Sequence, residues 1–441
     1  MVRSIAVCVM LVCMVSLSAP AAEVFDPPAV YLTWQRDPTT TMTVHWHTIH
    51  DLPAPDAAQT QAASEPEDQP SPTDIPPDWE VPASVVLHRP LAEAAGEWKT
   101  TAGKSHRLPY SNRMVHTVEL TGLTPATDYR FRFNENSAEF RFRTMPEDVA
   151  QPIRFAVGGD TMHRPEDFEA VNRQAARMSP EFVVFGGDLA YADAKPDQLG
   201  RWYTWFEVYK RSMVTPDGRL IPMLVTIGNH EVRGGTGGTP EKAPFFFNLF
   251  AMPGLPGYAS LDFGDYMSIL LLDTDHVNPI DGPQTGWLAR TLLQCQRRGV
   301  PHLFPVYHVP AYPGHREFAG HVNARVRDYW VPLFEEFGIR VAFEHHDHTY
   351  KRTHPLRGGR IDARGIVYLG DGAWGVGVRK PAPDRWYLQN SAHARHLILV
   401  TIHGRHQHYL VIDETGAAID EFPSTPSSPR LHEPTAPALA E

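Results

Sequence analysis

The sequence predicts an all-β sandwich followed by an α/β domain, and three patterns along the chain indicate this order. Runs such as 30–34 and 42–46 alternate with strand period, are rich in β-branched and aromatic residues, and are separated by Gly and Pro turns. From residue 153 the apolar runs become continuous, as in buried strands, and a helix-like stretch at 165–178 separates the first two. These later runs end in glycine and a polar residue, at the position where α/β sheets place ligands.

The two domains are predicted to span residues 28–145 and 150–420. Inside the first, residues 51–78 are rich in Pro, Ala, Gln, Ser and acidic residues and cannot bury enough apolar surface to order themselves. We therefore interpret that segment as a disordered surface insertion without a chemical role. The tail, residues 423–441, is rich in Pro, Ser and Ala and is predicted to be disordered as well.

Residues 1–21 are typical of a cleaved signal peptide. Arg3 gives a positive start, an apolar run follows at 5–17, and small residues at 19–21 offer a cleavage site. A membrane anchor is the alternative, but this run is shorter than the roughly 20 apolar residues that span a bilayer. Two of the three cysteines lie in this segment, so the mature chain keeps only Cys295 and forms no intramolecular disulfide. The protein is therefore expected to be secreted or periplasmic, with no stable membrane insertion after signal removal.

Composition and charge disfavour some classes of partner and leave others open. Hydrophobic residues make up 42% of the chain and charged residues 21%, which is ordinary for a globular protein. The formal net charge of -11 argues against nucleic acid as the main partner. A small anionic substrate stays open, because a local cationic site can override the field of the whole chain. The 23 histidines make a metal site or an acid–base site easier to assemble.

Five polar motifs follow apolar strand runs, and together they form the strongest functional signal in the sequence. They are Gly159-Asp160, the stretch from Gly187-Asp188 to Tyr191, Gly228-Asn229-His230-Glu231, His308, and His346-Asp347-His348. A glycine lets the chain turn sharply at a strand end and leaves the next side chain aimed into a shared cleft. Carboxylate, amide and imidazole groups form a nitrogen and oxygen ligand set suited to Fe, Zn or Mn. Two such ions can clamp the attacking and leaving oxygens of a phosphoryl group, and Asp188 is the candidate that bridges them.

Each motif alone also has a structural interpretation. A Gly-Asp pair at a strand end is often only a turn, and a single histidine such as His308 is more often a core residue. Asn229 could serve a turn, and Tyr191 could serve ordinary packing. The occurrence of all five motifs in one order favours the metal site over the purely structural interpretation.

At these residues the chain resembles the calcineurin-like metallophosphoesterases and, more narrowly, the purple acid phosphatases. The resemblance includes the segments 331–338, 344–353 and 370–372, and it extends over residues 28–414. It implies a fibronectin-III-like sandwich in front of a four-layer α/β metallophosphoesterase domain, in which two packed mixed sheets are flanked by helices.

The resemblance also implies how seven residues divide between two metal ions. The Fe(III) site would be formed by the bridging Asp188 with Asp160, Tyr191 and His348. The divalent site, holding Fe, Zn or Mn, would be formed by Asp188, Asn229, His308 and His346. Tyr191 points to the narrower family, because a phenolate is a good ligand for Fe(III) and gives these enzymes their colour.

Two further histidines are candidates for contact with the substrate. His230 follows Asn229 and is expected to hold the phosphate or to donate a proton to the leaving group. Its alternative role is to support neighbouring ligands. His315 lies seven residues beyond His308 and is a candidate for substrate binding or proton donation.

The chain departs from the family pattern at three places. Thr161 and Met162 follow Asp160 where the family has Asp-x-Gly, so the turn there is expected to be less tight. His345 replaces the glycine before His-x-His and could compete as a ligand, and Lys351 replaces a glutamate.

The expected reaction is the dinuclear metal-dependent hydrolysis of phosphate monoesters by a metal-bound hydroxide, as in an acid phosphatase. Since no protein nucleophile is evident, we expect direct transfer to water with inversion at phosphorus. The alternatives are a phosphodiesterase of the same fold and a non-catalytic binding protein with a vestigial metal site. The expected partner is a small phosphorylated substrate and not a nucleic acid, while homodimer formation stays open.

Overall fold

The computed structural model describes four stretches of the chain. They are residues 24–50, 83–93, 96–254 and 256–423. The predicted signal peptide and the predicted insertion lie outside these residues, and so does the predicted tail except for its first residue. No helix within the described stretches is both long and apolar enough to cross a membrane.

Eight strands form the N-terminal domain. They are β1 (Val30–Thr33), β2 (Thr41–Ile49), β3 (Val85–Pro90), β4 (Lys99–Ala102), β5 (Lys104–Arg107), β6 (Arg113–Thr121), β7 (Asp128–Arg132) and β8 (Phe140–Arg143). They pair into two antiparallel sheets with the orders β1-β2-β6-β5 and β4-β3-β7-β8. Side chains alternate along β1, so Leu32 packs in the core of the sandwich while Tyr31 faces the second domain. There Tyr31 stacks on Phe206 with 4.3 Å between ring centroids, which fixes the sandwich against the second domain.

Two mixed sheets form the centre of the second domain. Its strands are β9 (Ile153–Gly158), β10 (Phe182–Phe185), β11 (Met223–Val225), β12 (Ala259–Phe263), β13 (Met267–Leu271), β14 (His302–Val306), β15 (Val341–Glu344), β16 (Tyr350–Thr353), β17 (Leu356–Arg357), β18 (Arg360–Ile361), β19 (Val367–Gly370), β20 (Leu388–Ala392), β21 (His396–His403), β22 (His406–Asp413) and β23 (Ala418–Phe422). The sheet orders are β11-β10-β9-β21-β22-β23 and β12-β13-β14-β15-β19-β16-β20, while β17 and β18 pair as a separate hairpin. Strands β9, β10 and β11 are parallel to one another, and so are β13, β14, β15 and β19.

Helices cover the outer faces of both sheets. The helices are α1 (Pro165–Arg177), α2 (Gly200–Ser212), α3 (Phe246–Leu249), α4 (Thr285–Arg298), α5 (His321–Tyr329) and α6 (Val331–Glu336). Apolar side chains of α1 and α2 pack on the six-stranded sheet, and those of α4, α5 and α6 pack on the seven-stranded sheet. Helix α1 occupies the stretch for which the sequence predicts a helix. It begins with a proline and carries Glu166 and Asp167 in its first turn, both favourable at a helix N-terminus.

The two sheets pack face to face and bury a continuous apolar core between them. Phe155 of β9 and Phe304 of β14 meet in this core with 5.4 Å between ring centroids. The resulting order of helix, sheet, sheet and helix confirms the predicted four-layer α/β domain, and the β domain in front of it confirms the predicted fold class. Since the parallel strands of each sheet end at a common edge, the polar residues that follow them are brought together.

Candidate metal centre

Five of the seven predicted ligand residues have left-handed backbone conformations. Their φ angles are 54° at Asp160, 53° at Asp188, 56° at Tyr191, 82° at His346 and 58° at His348. Residues other than glycine rarely have positive φ angles, and such strain is retained where the surrounding structure determines it. The concentration of these strained residues at one edge of the sheets makes this edge the candidate functional site.

Asp160, Tyr191 and His348 form the first of two side-chain groups at this edge. His348 Nε2 lies 2.9 Å from Asp160 Oδ1, and the Tyr191 hydroxyl donates to the same oxygen at 3.1 Å. The hydroxyl also lies 3.1 Å from His348 Nε2. All three side chains are buried, so three potential ligand atoms meet in a space with little access for solvent.

His308 is the centre of the second group. Its Nε2 atom lies 3.1 Å from Asn229 Oδ1, 3.1 Å from Asp188 Oδ2 and 3.0 Å from His346 Nδ1. Its other ring nitrogen, Nδ1, lies 2.8 Å from the carbonyl oxygen of Gly186. Because a carbonyl only accepts, Nδ1 carries a hydrogen, so it is Nε2 that presents a lone pair when the ring is neutral.

The second group fits a metal ion on the evidence of its own atoms. The ligand atoms of Asp188, His308 and His346 lie within 4.8 Å of one another. Asp188 Oδ2 is buried and forms no hydrogen bond of good geometry, so its charge must be compensated by the His308 imidazolium at 3.1 Å or, in its place, by a metal cation. Once the Nε2 proton of His308 is displaced, the lone pairs of a carboxylate, an amide oxygen and two imidazoles can converge on one point, as required for a divalent ion.

The charges of the two groups depend strongly on burial. Burial alone would raise the pKa of Asp160, but His348 brings that pKa below its usual range. Burial lowers the pKa of His308, yet the neighbouring Asp188 raises it to about 9 overall. Burial raises the pKa of the Tyr191 phenol well above its usual range, and Asp160 and Asp188 raise it further. Without a bound cation, His308 is thus protonated and Tyr191 is a neutral phenol at neutral pH.

Asp188 connects the two groups. Its backbone oxygen accepts the N–H of Thr161 at 2.9 Å, directly beside Asp160, while its side chain faces His308. The buried Glu231 fixes this turn, because its carboxylate accepts the N–H groups of Asp188 and Leu189 at 2.8 Å each. Burial, followed by the charge of Asp188, raises the pKa of Glu231 to about 7. Glu231 is therefore placed to orient the backbone around the bridging candidate.

His230 lies beside the groups and is held by an acid that the sequence analysis did not identify. Its Nδ1 lies 2.5 Å from Asp193 Oδ1, and its ring packs on Tyr191 with 4.3 Å between centroids. The other nitrogen, Nε2, lies 3.9 Å from Asp188 Oδ2 and thus faces the site. Asp193 stands two residues after Tyr191, so its position in the same motif was a signal for this role.

His315 lies at the rim of the site. Its Nδ1 donates to the carbonyl oxygen of Lys380 at 2.7 Å, and its backbone N–H donates to Asp347 at 2.7 Å. Within the described part of the chain, no hydrogen bond joins His315 to any of the seven predicted ligands. The structure therefore brings His315 beside the His-x-His segment but not into the two groups.

His345 packs against two strand-end glycines and stays outside both ligand groups. A Cβ atom on Gly186 would lie 1.6 Å from Cδ2 of His345, and one on Gly159 would lie 2.9 Å from Cγ. The glycines thus provide the room that the imidazole needs. Neither ring nitrogen has a hydrogen-bond partner among the described residues, and burial lowers the pKa of His345 to about 3.

The other two departures from the family pattern also have local partners. Lys351 is fully buried, and its amine forms an ion pair with Glu344 and a hydrogen bond to the carbonyl of Tyr312. Thr161 donates its hydroxyl hydrogen to the carbonyl of Leu189 at 2.6 Å and accepts from Trp205 Nε1 at 2.8 Å. The turn after Asp160 is therefore fixed by side-chain bonds in the absence of the usual glycine.

Comparison with known proteins identifies two families in order along the chain. Residues 27–144 match the model of the purple acid phosphatase N-terminal domain, and residues 153–350 match that of the calcineurin-like phosphoesterases. Purple acid phosphatase 21 of Arabidopsis thaliana is 27% identical over 289 residues, which are 62% of this chain and 62% of that protein. An uncharacterized protein of Mycobacterium tuberculosis is 26% identical over 373 residues, which are 75% of this chain and 63% of that protein. The chain thus spans about three fifths of the length of these relatives.

Two solved structures share the fold. A purple acid phosphatase from yellow lupin seeds superimposes with a TM-score of 0.68 at 16% identity, covering 89% of this chain and 73% of its own. PhoD superimposes with a TM-score of 0.59 at 12% identity, covering 91% of this chain and 94% of its own. The chain therefore contains, in order, a domain that matches the N-terminal domain of purple acid phosphatases and a domain that matches the calcineurin-like phosphoesterases, in the fold of a purple acid phosphatase.

Proposed function

We propose that the chain hydrolyses phosphate monoesters at a dinuclear metal centre. The observation that carries this proposal is the convergence of potential ligand atoms of Asp188, Asn229 and His346 around His308 Nε2, with the buried Asp188 Oδ2 among them. The family matches support the same conclusion, because the second domain matches the calcineurin-like phosphoesterases and the first matches the N-terminal domain of purple acid phosphatases.

Seven residues would hold the two ions. One ion would be bound by Asp160, Tyr191, His348 and the bridging Asp188, and the other by Asp188, Asn229, His308 and His346. Nitrogen and oxygen ligands of this kind suit Fe, Zn and Mn, and the phenolate of Tyr191 favours Fe(III) at the first position. The hydrogen bond from His308 Nδ1 to the carbonyl of Gly186 fixes the ring, so that Nε2 would be free to bind the ion, as metal-bound imidazoles usually require.

Bound ions would activate a water molecule and neutralise the charge of the phosphoryl group. The chain's own residues supply orientation and a proton. Asp193 accepts the Nδ1 hydrogen of His230, so that Nε2 faces the cleft and can donate to the phosphoryl or leaving-group oxygen. Tyr191 packs on the imidazole and limits its rotation. His230 thus serves as the proposed general acid, and His315 as a rim residue for the substrate.

A panel of phosphate monoesters and diesters tests this proposal with the metal-loaded full chain. We expect hydrolysis of monoesters with inversion at phosphorus, because the reaction transfers the phosphoryl group directly to water. We expect Asp188→Asn to lose activity and bound metal together. A protein that retains its metal ions but cleaves only diesters, or no ester, contradicts the proposal. Sequencing the N-terminus of the mature protein tests the predicted export signal separately.

A further inference from the structure

The loop that follows β14 is fixed beside the His-x-His segment by Asp347. Asp347 is fully buried and lies in the chain between the two candidate ligands His346 and His348. Its Oδ2 atom accepts the backbone N–H of His315 at 2.7 Å and that of Arg316 at 2.9 Å. Two hydrogen bonds to a buried carboxylate hold this part of the loop at a fixed distance from the metal centre.

The same carboxylate aligns the side chain of Arg316. Arg316 Nε lies 3.2 Å from Asp347 Oδ1, an ion pair outside the geometry of a hydrogen bond. The side chain of Arg316 remains 41% exposed, and its terminal nitrogens make no hydrogen bond among the described residues. A guanidinium has paired donors that match the oxygens of a phosphate or carboxylate, so an anchored Arg316 presents such donors at the rim.

Three further cations lie along this rim. The carbonyl of Lys380 accepts a hydrogen bond from His315, Arg385 donates to the carbonyl of Arg316 at 2.9 Å, and the backbone N–H of Arg379 donates to the backbone carbonyl of His348 at 2.7 Å. Within the described stretches, the side chains of Arg379, Lys380 and Arg385 form no ion pair. In a chain with a formal net charge of -11, these segments bring four basic residues, Arg316 among them, to one side of the centre.

We propose that Arg316, aligned by Asp347, binds a second anionic group of the substrate, beside the phosphoryl group at the metal centre. This inference rests on the proposed function. Arg316 is partly exposed at the rim, so it reaches a group outside the metal pair, and the neighbouring cations attract the same group. The favoured substrates are phosphate compounds with two adjacent anionic groups, for which inorganic pyrophosphate is the simplest probe.

Steady-state kinetics on pyrophosphate and p-nitrophenyl phosphate test the inference, with the metal-loaded full chain and Arg316→Gln. We expect the variant to raise the KM for pyrophosphate by roughly 10- to 100-fold, because a charge-assisted interaction is lost. We expect Arg316→Gln to lower kcat/KM for p-nitrophenyl phosphate by a factor at least about 10-fold smaller than the factor for pyrophosphate. Asp347→Asn is expected to raise the KM for pyrophosphate as well, because Arg316 loses its anchor. An unchanged KM in Asp347→Asn overturns the positioning role.

Arg360→Gln provides a matched control, since Arg360 is exposed on the β17–β18 hairpin and its loss changes the charge equally. We expect this control to match the wild type on both substrates, and metal content should be equal in all variants. Equal losses on both substrates for Arg316→Gln, or no hydrolysis of pyrophosphate by the wild type, overturn the inference while the proposed function stands. A wild type that binds metal but cleaves neither compound contradicts the proposed function itself.

Discussion

Asp193→Asn tests the pair that orients His230. Asparagine keeps the size and the acceptor oxygen of the residue but removes the negative charge that stabilises a protonated imidazole. The Nδ1–Oδ1 distance is 2.5 Å, and the side chains of His230 and Asp193 are 34% and 38% exposed. A charge-assisted hydrogen bond contributes about 1.5–3 kcal/mol, and solvent screening at this exposure reduces the difference from a neutral bond to about 1–2 kcal/mol.

That loss corresponds to a fall in kcat of roughly 5- to 30-fold. The assay is steady-state hydrolysis of a phosphate monoester, with the metal content per chain measured in the same preparation. Lys195→Gln is the control, because Lys195 binds the other oxygen of Asp193 at 3.0 Å but is 57% exposed. We expect less than about a 2-fold effect from it. Wild-type kcat in a fully metal-loaded Asp193→Asn protein would refute the proposed role of the pair.

Three other predictions concern packing, protons and charge. Gly186→Ala is expected to lower the free energy of unfolding by about 3 kcal/mol because its Cβ would overlap His345, and adding His345→Gly should recover much of this loss. Urea unfolding measures this, and if the effects of the two substitutions simply add in the double variant, the packing is contradicted. His308 has a pKa of about 9 without metal, so binding of a divalent ion near pH 7 should displace about one proton from its ring. Calorimetry of metal binding in two buffers of different ionisation enthalpy measures this proton release, and no release would show that the ring is not a ligand. Lys351→Met should lower the free energy of unfolding by about 3–5 kcal/mol because it leaves the buried charge of Glu344 unpaired, and adding Glu344→Gln should restore stability. A Lys351→Met protein as stable as the wild type in urea unfolding would contradict the buried ion pair.

The sequence predicted the parts of the site that depend on local order along the chain. Asp160, Asp188 and Asn229 each follow a strand and a glycine, so the sheet topology alone places them at one edge. The order of the two domains and the helix at α1 follow from strand and helix periodicity in the same way.

Contacts between distant segments could not be predicted in this way. The room for His345 depends on how closely the ends of β9 and β10 approach β15, which no local pattern records. The pairing of Lys351 with Glu344 depends on the side chains of β15 and β16 turning toward the same interior. Asp193 reaches His230 only because the loop after Tyr191 folds back, with a positive φ angle at Asp193 itself.

Metal analysis combined with the visible spectrum of the wild type and Tyr191→Phe tests the dinuclear centre most directly. The account predicts about two metal ions per chain, and a visible absorption band from Fe(III) bound to the Tyr191 phenolate. Tyr191→Phe should lose that band while the divalent ion stays at Asp188, Asn229, His308 and His346. A wild type with a single ion per chain, or a Tyr191→Phe protein that keeps its colour, would contradict the centre described above.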